Sequence, residues 1–306
     1  MSIEQCTIYV DGQPIEVKCM MGDDDIMVPA YFFKYAGVGV DFNLKKTKVI
    51  LSTACKTEEV NSSNEGNYIS LQHVVKLLEM KVFYDQKTLR IYLITNTSPQ
   101  QKPEILCRCD ILEKKVALTF DDGPDKYTTS KILKILNDKG VKATFFVVGA
   151  KVKDFPKVLE RIAKEGHGIG NHAWSHSDLT KLSTHKVTEE VKKTTDIIES
   201  ITGIRTNFFR PPFGTLTYAD VNIINSLGLK AVNWNIDTFD YAGTSAEKII
   251  DTIKRDISPG SIILQHSFNN STAALDGSIR ALPIIIDQLR SQGMEFVTIE
   301  ELFSSK

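Results

Sequence analysis

The sequence predicts an α/β protein in which a small α+β domain precedes a (β/α)7 TIM-like barrel. Residues 1–97 show the patterns of short strands and small helices, whereas apolar runs alternate with amphipathic helical patterns after about residue 112. A polar, proline-bearing segment, TNTSPQQKPE, separates the two parts and is typical of a linker. Repeated strand–helix–strand order favours a parallel barrel over a sandwich. We therefore expect domains at 1–97 and 112–306, joined by a linker at 98–111.

Seven apolar runs are the candidate strands of the barrel. They span 116–120, 143–148, 168–172, 208–212, 229–236, 261–266 and 295–299. Helical patterns such as SKILKILNDKG and SAEKIIDTIKRDIS separate them, and several of these patterns stop at a glycine or a proline. In a parallel barrel, reactive side chains collect at the carboxyl ends of the strands. The barrel hypothesis therefore predicts where functional residues should occur.

Residues 1–97 contain an internal repeat with a spacing of about 41 residues. VPAYFFKYAGVGVDFNLKKTKVIL at 28–51 aligns with ISLQHVVKLLEMKVFYDQKTLRIY at 69–92. Each copy predicts an extended segment, a helix and a hairpin that turns at a Lys-Thr pair, Lys46-Thr47 or Lys87-Thr88. The pattern resembles the copper amine oxidase N-terminal-like domain, an accessory module of bacterial surface proteins. His73 is the only histidine in this part, and we infer no copper site because such a site needs several converging ligands.

Composition and charge place the chain among ordinary globular proteins. Its 306 residues, 42% of them hydrophobic, are enough to bury a sizeable core. The formal net charge of −1, without a basic cluster, argues against a nucleic-acid partner. No apolar run reaches transmembrane length, and the first residues lack a basic segment followed by an apolar stretch. The five cysteines lie within the first 109 residues without metal- or disulfide-type spacing, which favours buried small side chains.

The stretch VALTFDDGPD ends a predicted strand with two adjacent carboxylates, Asp121 and Asp122. Asp, Gly and Pro are common turn residues, and an Asp here could instead cap the helix that follows. The other strand ends decide between these interpretations. NHAWSH, RPPFG, DTFDY and LQH also lie at the ends of predicted strands, although they are far apart in sequence. Only a barrel would bring these groups to one rim, and their convergence favours a functional site.

His172 and His176 are four residues apart, a spacing that would place both imidazoles on one face of a helical turn. The alternative is a pair of surface or core histidines. Two histidines and one carboxylate form a recurrent metal-ligand set that leaves positions open for water and substrate. A divalent cation at one carboxylate of the Asp pair would offset its repulsion with the other and leave the second free to act as a base.

The motifs TFDDGP, NHAWSH, RPPFG, DTFDY and LQH, in this order, resemble those of the polysaccharide deacetylase family, which is also called NodB homology or carbohydrate esterase family 4. The resemblance covers about residues 112–303 and implies the distorted barrel of that fold. It implies a site for a divalent metal, usually Zn²⁺ with Co²⁺ or Ni²⁺ as alternatives, whose ligands are Asp122, His172 and His176. It also implies four catalytic roles: Asp121 as general base, Arg210 holding Asp121, His266 as general acid, and Asp240 tuning His266.

The same resemblance implies a set of substrate-contacting residues. The backbone N–H of Phe213 would face the oxyanion, and Leu264 would line the acetyl pocket. Tyr241 stands where the family commonly has Trp, which keeps an aromatic wall but changes its shape and leaves the sugar or the rate open. Pro212 occupies a position at which some members carry a modified proline. Trp174, between the two histidines, could flank the sugar groove or pack inside the protein.

The chemistry of amide hydrolysis agrees with these roles. The reaction requires an activated water, a stabilised tetrahedral oxyanion and a proton for the departing amine. A zinc ion supplies the first two, and an ionised Asp121 can take the proton of the water. His266 can protonate the nitrogen if Asp240 raises its pKa. His167 precedes the third predicted strand and is expected to be structural.

The leading hypothesis is a metal-dependent N-deacetylase acting on N-acetylglucosamine residues of peptidoglycan or a chitin-like glycan. An O-acetyl esterase acting on acetylated polysaccharide is the alternative enzyme, since the same metal and base serve both reactions. A third hypothesis, from a different class, is an inactive cell-wall-binding module. A polymeric glycan substrate implies an extracellular or cell-wall location, with any export signal or anchor outside the given sequence.

Overall fold

The computed structural model describes residues 2–22, 25–43, 47–63, 67–85, 90–95, 104–271 and 273–304. The chain divides into two compact units. Unit 1 comprises Met1–Glu104, Leu179–Thr188 and Thr215–Ile223, and unit 2 comprises Ile105–Asp178, Glu189–Gly214 and Ile224–Lys306. No feature of the sequence indicates that two later segments group with the first hundred residues. The predicted domain ranges, 1–97 and 112–306, stay predictions.

The strands of unit 1 form two sheets around an apolar core. They are β1 (Ser2–Val10), β2 (Gln13–Met21), β3 (Ile26–Pro29), β4 (Gly39–Phe42), β5 (Lys48–Ser52), β6 (Thr57–Asn61), β7 (Tyr68–Ser70), β8 (Lys81–Asp85) and β9 (Arg90–Ile94). The sheet orders are β7-β3-β2-β1-β9-β8 and β4-β5-β6. Ile8 and Val10 of β1 and Ile91 and Leu93 of β9 are buried in the core. Alternate residues of these strands therefore face inward, as expected for a sheet with one covered face.

The internal repeat appears as two copies of a strand, a helix and an antiparallel hairpin. The first copy is β3, a 3₁₀ helix at Ala30–Ala36, β4 and β5, and the second is β7, α1 (Leu71–Leu77), β8 and β9. Phe42 pairs with Val49 in the first hairpin, but Phe83 pairs with Tyr92 in the second. The pairing in the second hairpin is therefore shifted by two residues from a perfect repeat. Three of the predicted turn residues lie outside the described residues: Lys46, Lys87 and Thr88.

The strands of unit 2 form a parallel sheet that must curl. They are β10 (Lys115–Asp121), β11 (Thr144–Val147), β12 (Gly168–Asn171), β13 (Phe208–Phe209), β14 (Lys230–Ala231), β15 (Ile236–Asp237), β16 (Ile262–His266) and β17 (Glu295–Phe296). Their order is β14-β13-β12-β11-β10-β16-β15, and β17 pairs with β10. Seven strands laid flat would span about 29 Å. The short connection from β14 to β15, residues 232–235, reaches at most about 18 Å, so the two ends of the sheet approach each other.

The predicted strand at 229–236 is two short strands, β14 and β15, rather than one. The N–H of Val232 donates to the carbonyl of Phe209 in β13, whereas the N–H of Asn235 donates to the carbonyl of Ile262 in β16. The chain thus changes its hydrogen-bond partner while it crosses from one end of the sheet to the other. This exchange interrupts the ladder and explains the break.

Helices alternate with the strands of this sheet, among them the patterns SKILKILNDKG and SAEKIIDTIKRDIS that the sequence predicts to be helical. They are α2 (Thr128–Lys139), α3 (Gly149–Asp154), α4 (Pro156–Lys164), α5 (Thr184–Thr202), α6 (Tyr218–Ser226), α7 (Ala246–Asp256), α8 (Asp276–Ser291) and α9 (Ile299–Ser304). Every residue of β10 from Val116 to Asp121 is buried, as expected of a parallel strand covered on both faces. Phe145 of β11 is buried and stacks on Phe120 of β10. Within the described ranges, no helix combines the length and apolar content needed to cross a bilayer.

Phe145→Ala should lower the free energy of unfolding by about 3–5 kcal/mol, because it removes a fully buried ring and leaves a cavity. Urea unfolding followed by circular dichroism measures this change. Leu112→Ala is the matched control, since Leu112 is 96% exposed and should change stability by no more than about 0.5 kcal/mol. Equal stability of the two variants would contradict the packing described for β10 and β11.

Candidate metal and catalytic site

The strand ends of unit 2 border a cleft of about 480 Å³. Each of the five sequence motifs contributes to its lining, which consists of Asp121, Asp122, His172, His176, Pro211, Phe213, Trp234, Asp237, Tyr241, Leu264, His266 and Asn269. The groups that the sequence places at separate strand ends therefore meet in one place. The cleft combines carboxylates, imidazoles and aromatic rings, which suits catalysis on a polar substrate.

Asp122, His172 and His176 bring three potential ligand atoms together. Oδ1 of Asp122 lies 3.3 Å from Nε2 of His172 and 3.1 Å from Nε2 of His176. One ligand atom from each residue lies within 4.8 Å of the others. Among the residues that the structure describes, no other cluster of three or more His, Cys, Asp or Glu side chains has the spacing needed to hold a metal ion. The predicted ligand set is thus assembled in space.

The segment that carries the two histidines is not the helical turn that their spacing suggested. It leaves β12 in an irregular conformation, with left-handed backbone at Ala173 (φ 62°) and His176 (φ 57°). Asp122 also has a left-handed backbone, with φ 72°. Non-glycine residues adopt this region at a cost in energy, and such residues cluster at functional sites. The backbone is therefore bent to aim the three side chains at one point.

A hydrogen bond fixes the tautomer of His172. Its Nδ1 lies 2.7 Å from the backbone carbonyl oxygen of Arg210. Because a carbonyl oxygen only accepts, Nδ1 carries the hydrogen and donates it. The lone pair of the neutral ring is then on Nε2, which faces Asp122. Metal-binding histidines are commonly oriented in this way by a carbonyl or carboxylate behind the ring.

The electrostatics of the triad favour a cation. Oδ1 of Asp122 is a buried acceptor without a hydrogen-bond partner in the described part of the chain. Burial raises the pKa of Asp122, but the imidazoles of His172 and His176 hold it well below its usual range, so the carboxylate is ionised. Burial lowers the pKa of His172, while the carboxylates of Asp121 and Asp122 raise it above its ordinary value. The lone pairs that attract protons here are those that bind metals, so the site fits a divalent cation.

Asp121 is held by a fully buried guanidinium, that of Arg210. Nη1 of Arg210 lies 2.8 Å from Oδ1 of Asp121 and also donates to the hydroxyl of Thr119 at 2.7 Å. Its other nitrogens donate to the backbone carbonyls of Val232 and Asn233. A buried charge persists only when it is paired and hydrogen-bonded in this way. The nearest charged partner of Asp121 is Arg210, whereas those of Asp122 are the two imidazoles; Oδ2 of Asp121 lies farther from Nε2 of His172, at 3.8 Å.

His266 and Asp240 form a second charged pair across the cleft. Nδ1 of His266 lies 2.7 Å from Oδ1 of Asp240, and the backbone N–H of His266 donates to Oδ2 at 2.9 Å. Burial lowers the pKa of His266, but the Asp240 carboxylate, with further contributions from Asp121 and Asp122, raises it to about 9. The imidazole is therefore protonated at neutral pH. Its Nε2–H remains as the donor for a group in the cleft.

Three residues that the sequence assigns to substrate contact line the cleft. The ring of Phe213 is 64% exposed and meets the ring of His176 edge-on, with 4.8 Å between centroids. The ring of Tyr241 meets that of His266 in the same manner at 5.3 Å. Leu264 is buried in the wall. These side chains form walls on either side of the charged groups.

Pro212 and Trp174 are not among the described residues that line the cleft. Pro212 is buried and begins a 3₁₀ turn at Pro212–Gly214, while its neighbour Pro211 takes the lining position. Lys193 Nζ lies 3.8 Å from the centre of the Trp174 ring. Trp174 is half-buried and Lys193 is exposed, so both alternatives left open for Trp174 stay predictions. His167 is buried, and its Nδ1 accepts a hydrogen bond from the N–H of Ala143, as expected of a structural histidine.

Two polar residues in the cleft, Asp237 and Asn269, were not singled out from the sequence. Burial raises the pKa of Asp237, whose Oδ1 accepts the N–H of Phe239. Asn269 donates to the carbonyl of Tyr241. The motif DTFDY contains Asp237, so two carboxylates in that motif were an available signal. Asn269 follows the last motif by three residues and carries no such signal.

Comparison with known proteins identifies the family. A family model described as polysaccharide deacetylase matches residues 110–232. A peptidoglycan-N-acetylglucosamine deacetylase from Bacillus cereus is 41% identical over 191 residues, which cover 62% of this chain and 69% of that protein. The chain therefore belongs to the polysaccharide deacetylase family. The predicted family and enzyme class, a polysaccharide N-deacetylase, are confirmed. PdaC of Bacillus subtilis, a peptidoglycan-N-acetylmuramic acid deacetylase, is 36% identical, but only 39% of its length is covered.

Solved structures are similar in fold. A peptidoglycan N-acetylglucosamine deacetylase aligns over 66% of this chain and 94% of its own, with 38% identity and a TM-score of 0.64. A CE4 family pseudoenzyme from Bacillus anthracis aligns over 74% of this chain and 78% of its own, with 27% identity and a TM-score of 0.61. The predicted α/β barrel fold is thereby confirmed.

Asp240→Asn should lower the pKa of His266 from about 9 toward its ordinary value of 6.5, because the variant loses the carboxylate that stabilises the protonated ring. NMR titration of the imidazole in the metal-free protein measures the midpoint. Tyr241→Phe is the control, since that ring contacts His266 without contributing a carboxylate. An unchanged midpoint in Asp240→Asn would contradict the role of this pair.

Proposed function

We propose that this protein is a metal-dependent N-deacetylase that hydrolyses the acetamido groups of N-acetylglucosamine residues in peptidoglycan or a chitin-like glycan. The observation that carries the proposal is the convergence of three groups on one cleft: the Asp122–His172–His176 triad, the Asp121–Arg210 pair and the His266–Asp240 pair. Hydrolysis of an amide needs an activated water, a base and an acid, and these three groups could supply them. The names of the relatives support a glycan of the bacterial cell wall.

The metal is proposed to be Zn²⁺, with Co²⁺ or Ni²⁺ as alternatives. One carboxylate and two imidazoles form a ligand set that suits these ions and leaves positions open for water and substrate. A cation bound there would polarise the acetyl carbonyl and lower the pKa of water. Asp122, His172 and His176 would hold it, with His172 oriented by the carbonyl of Arg210.

Asp121 is proposed as the general base. Its carboxylate is buried and forms an ion pair with the guanidinium of Arg210 at 2.8 Å. In this role it accepts the proton of the attacking water while the water oxygen bonds to the acetyl carbon. General bases of this kind contribute about 10²–10⁴-fold to the rate. Arg210 acts through Asp121, whose Oδ1 it contacts at 2.8 Å.

His266 is proposed as the general acid. Asp240 holds Nδ1 and keeps the ring protonated at neutral pH, so the proton on Nε2 can be given to the amide nitrogen of the sugar as the bond between that nitrogen and the acetyl carbon breaks. The products are acetate and a free amine on the sugar. Phe213, Tyr241 and Leu264 are proposed to confine the sugar and its acetyl group, with the N–H of Phe213 facing the oxyanion. A polymeric wall substrate would place the protein outside the cell or on its wall.

Two other functions remain to be distinguished by experiment. An O-acetyl esterase would use the same base and metal but would release acetate without an amine. An inactive glycan-binding module has a precedent in the similarity to a CE4 family pseudoenzyme. The presence of the base, acid and ligand set in one cleft favours an active enzyme over that alternative.

The first test incubates the zinc-loaded protein with N-acetylglucosamine oligomers and with peptidoglycan, and measures acetate and free amine together. Equal amounts of both products are expected. Peptidoglycan products should be analysed for glucosamine and muramic acid, because relatives act on either sugar. Acetate without amine, from an O-acetylated glycan only, would favour the esterase. No release with zinc bound would overturn the proposal in favour of a binding module.

Two variants separate the metal site from the base. Asp122→Ala should lose both metal and activity, because it removes a ligand. Asp121→Asn should keep the metal but lose about 10²–10⁴-fold in kcat, because an amide cannot accept the proton. Metal content by mass spectrometry of the intact holoprotein and kcat by acetate release are measured together. Full activity in Asp121→Asn would refute the assignment of the base.

A further inference from the structure

Lys34 anchors two later segments of the chain within unit 1. Its side chain is fully buried, and Nζ lies 2.6 Å from Oδ1 of Asp220. Nζ also donates to the backbone carbonyls of Leu179 at 2.7 Å and Leu182 at 2.8 Å. An ammonium group has three N–H donors, and these three acceptors match that number. Separating the partners of a buried ion pair is strongly unfavourable, because it leaves an uncompensated charge away from water.

The strand β4 holds the same region at the start of α5. The N–H of Val40 donates to Oγ1 of Thr184 at 2.8 Å, and Oδ1 of Asp41 accepts the N–H of His185 at 3.0 Å. The first N–H groups of a helix have no partner within the helix. Asp41 therefore caps α5 from a distant part of the chain and adds a favourable negative charge at its N-terminus. Lys34 and Asp41 together fix where α5 begins.

Farther along, α5 supports the loop that carries the metal ligands. Oε2 of Glu190 accepts the backbone N–H groups of Trp174 at 3.0 Å and Ser175 at 2.8 Å, and it accepts the hydroxyl of Ser175 at 3.0 Å. These two residues lie between His172 and His176. The loop has left-handed backbone at two residues, and Glu190 supplies it with hydrogen-bond acceptors. A shift of α5 would move Glu190, and with it the loop that carries His176.

We propose that Lys34 and Asp41 are positioning residues for the metal site: they fix the start of α5, and α5 acts through Glu190 on the loop that presents His176. The metal-binding part of this inference rests on the ligand set, and only its catalytic consequence rests on the proposed function. The first hundred residues would then contribute to the affinity of the site for its metal without supplying a ligand. A simpler role, stability of unit 1 alone, predicts no such effect.

The test measures the dissociation constant for Zn²⁺ in the full chain by competition with a chromophoric chelator. Glu190→Gln, which weakens the acceptor in the ligand loop, should reduce affinity on the order of tenfold, as for groups that orient metal ligands. Lys34→Met and Asp41→Ala should reduce it in the same direction. The double variant Lys34→Met/Glu190→Gln should lose less than the product of the two single effects, because both act on the same loop.

Lys48→Met is the matched control, since Lys48 forms an exposed ion pair with Glu59 in the same unit and should leave affinity unchanged. If Lys34→Met does not fold, Asp41→Ala combined with Glu190→Gln gives the same cycle. Lower melting temperatures with wild-type zinc affinity, or independent effects in the cycle, would overturn the proposal.

Zinc binding by the wild type without deacetylation would refute the proposed function and leave this test in force. For an active enzyme, kcat should fall with metal occupancy while KM stays near the wild-type value.

Discussion

The buried guanidinium of Arg210 ties the two halves of the site together. Its side chain binds Asp121 and Thr119, while its backbone carbonyl accepts the hydrogen of His172. The guanidinium lies 4.1 Å from the ring centre of Phe146, and it donates hydrogen bonds to the backbone carbonyls of Val232 and Asn233. Removing a charge from water is costly unless every donor finds a partner. Because one residue contacts both Asp121 and His172, the relative position of these two side chains depends on the fold of the sheet that carries Arg210.

The irregular backbone around the cleft follows from the same requirement. Parallel strands deliver the chain to the rim of the sheet, but their regular geometry does not aim neighbouring side chains at one atom. Asp121 and Asp122 are adjacent, yet one faces Arg210 and the other faces the imidazoles. The left-handed conformation of Asp122 separates their directions. Left-handed residues such as Asp122 and His176 thus occur in the cleft where the side chains converge.

Much of the site could be predicted because its residues lie in short motifs. The alternation of strands and helices in the sequence places each of these motifs at the end of a strand. Their meeting point follows from topology, since the carboxyl ends of parallel strands share one edge. Local details were harder. The spacing of His172 and His176 suggested a helical turn, but the loop is held open by contacts to α5 that are sixteen residues or so away in sequence. Residues 179–188 and 215–223 group with unit 1, and the buried Lys34 contacts both segments, through the carbonyl of Leu179 and through Asp220. No pattern in the sequence pairs Lys34 with either of them.

The left-handed residues at the cleft have a consequence for how such proteins change over evolutionary time. Asp122, His176 and Phe213 each hold a conformation that costs about 1–3 kcal/mol for a residue with a side chain. Together these costs are a sizeable share of the free energy of unfolding of a typical domain, which is roughly 5–15 kcal/mol. A glycine at any of them would relax the backbone and remove a side chain that lines the cleft. In a lineage in which these side chains were no longer under selection, replacing them would increase stability, and random substitution would tend to dismantle the cleft.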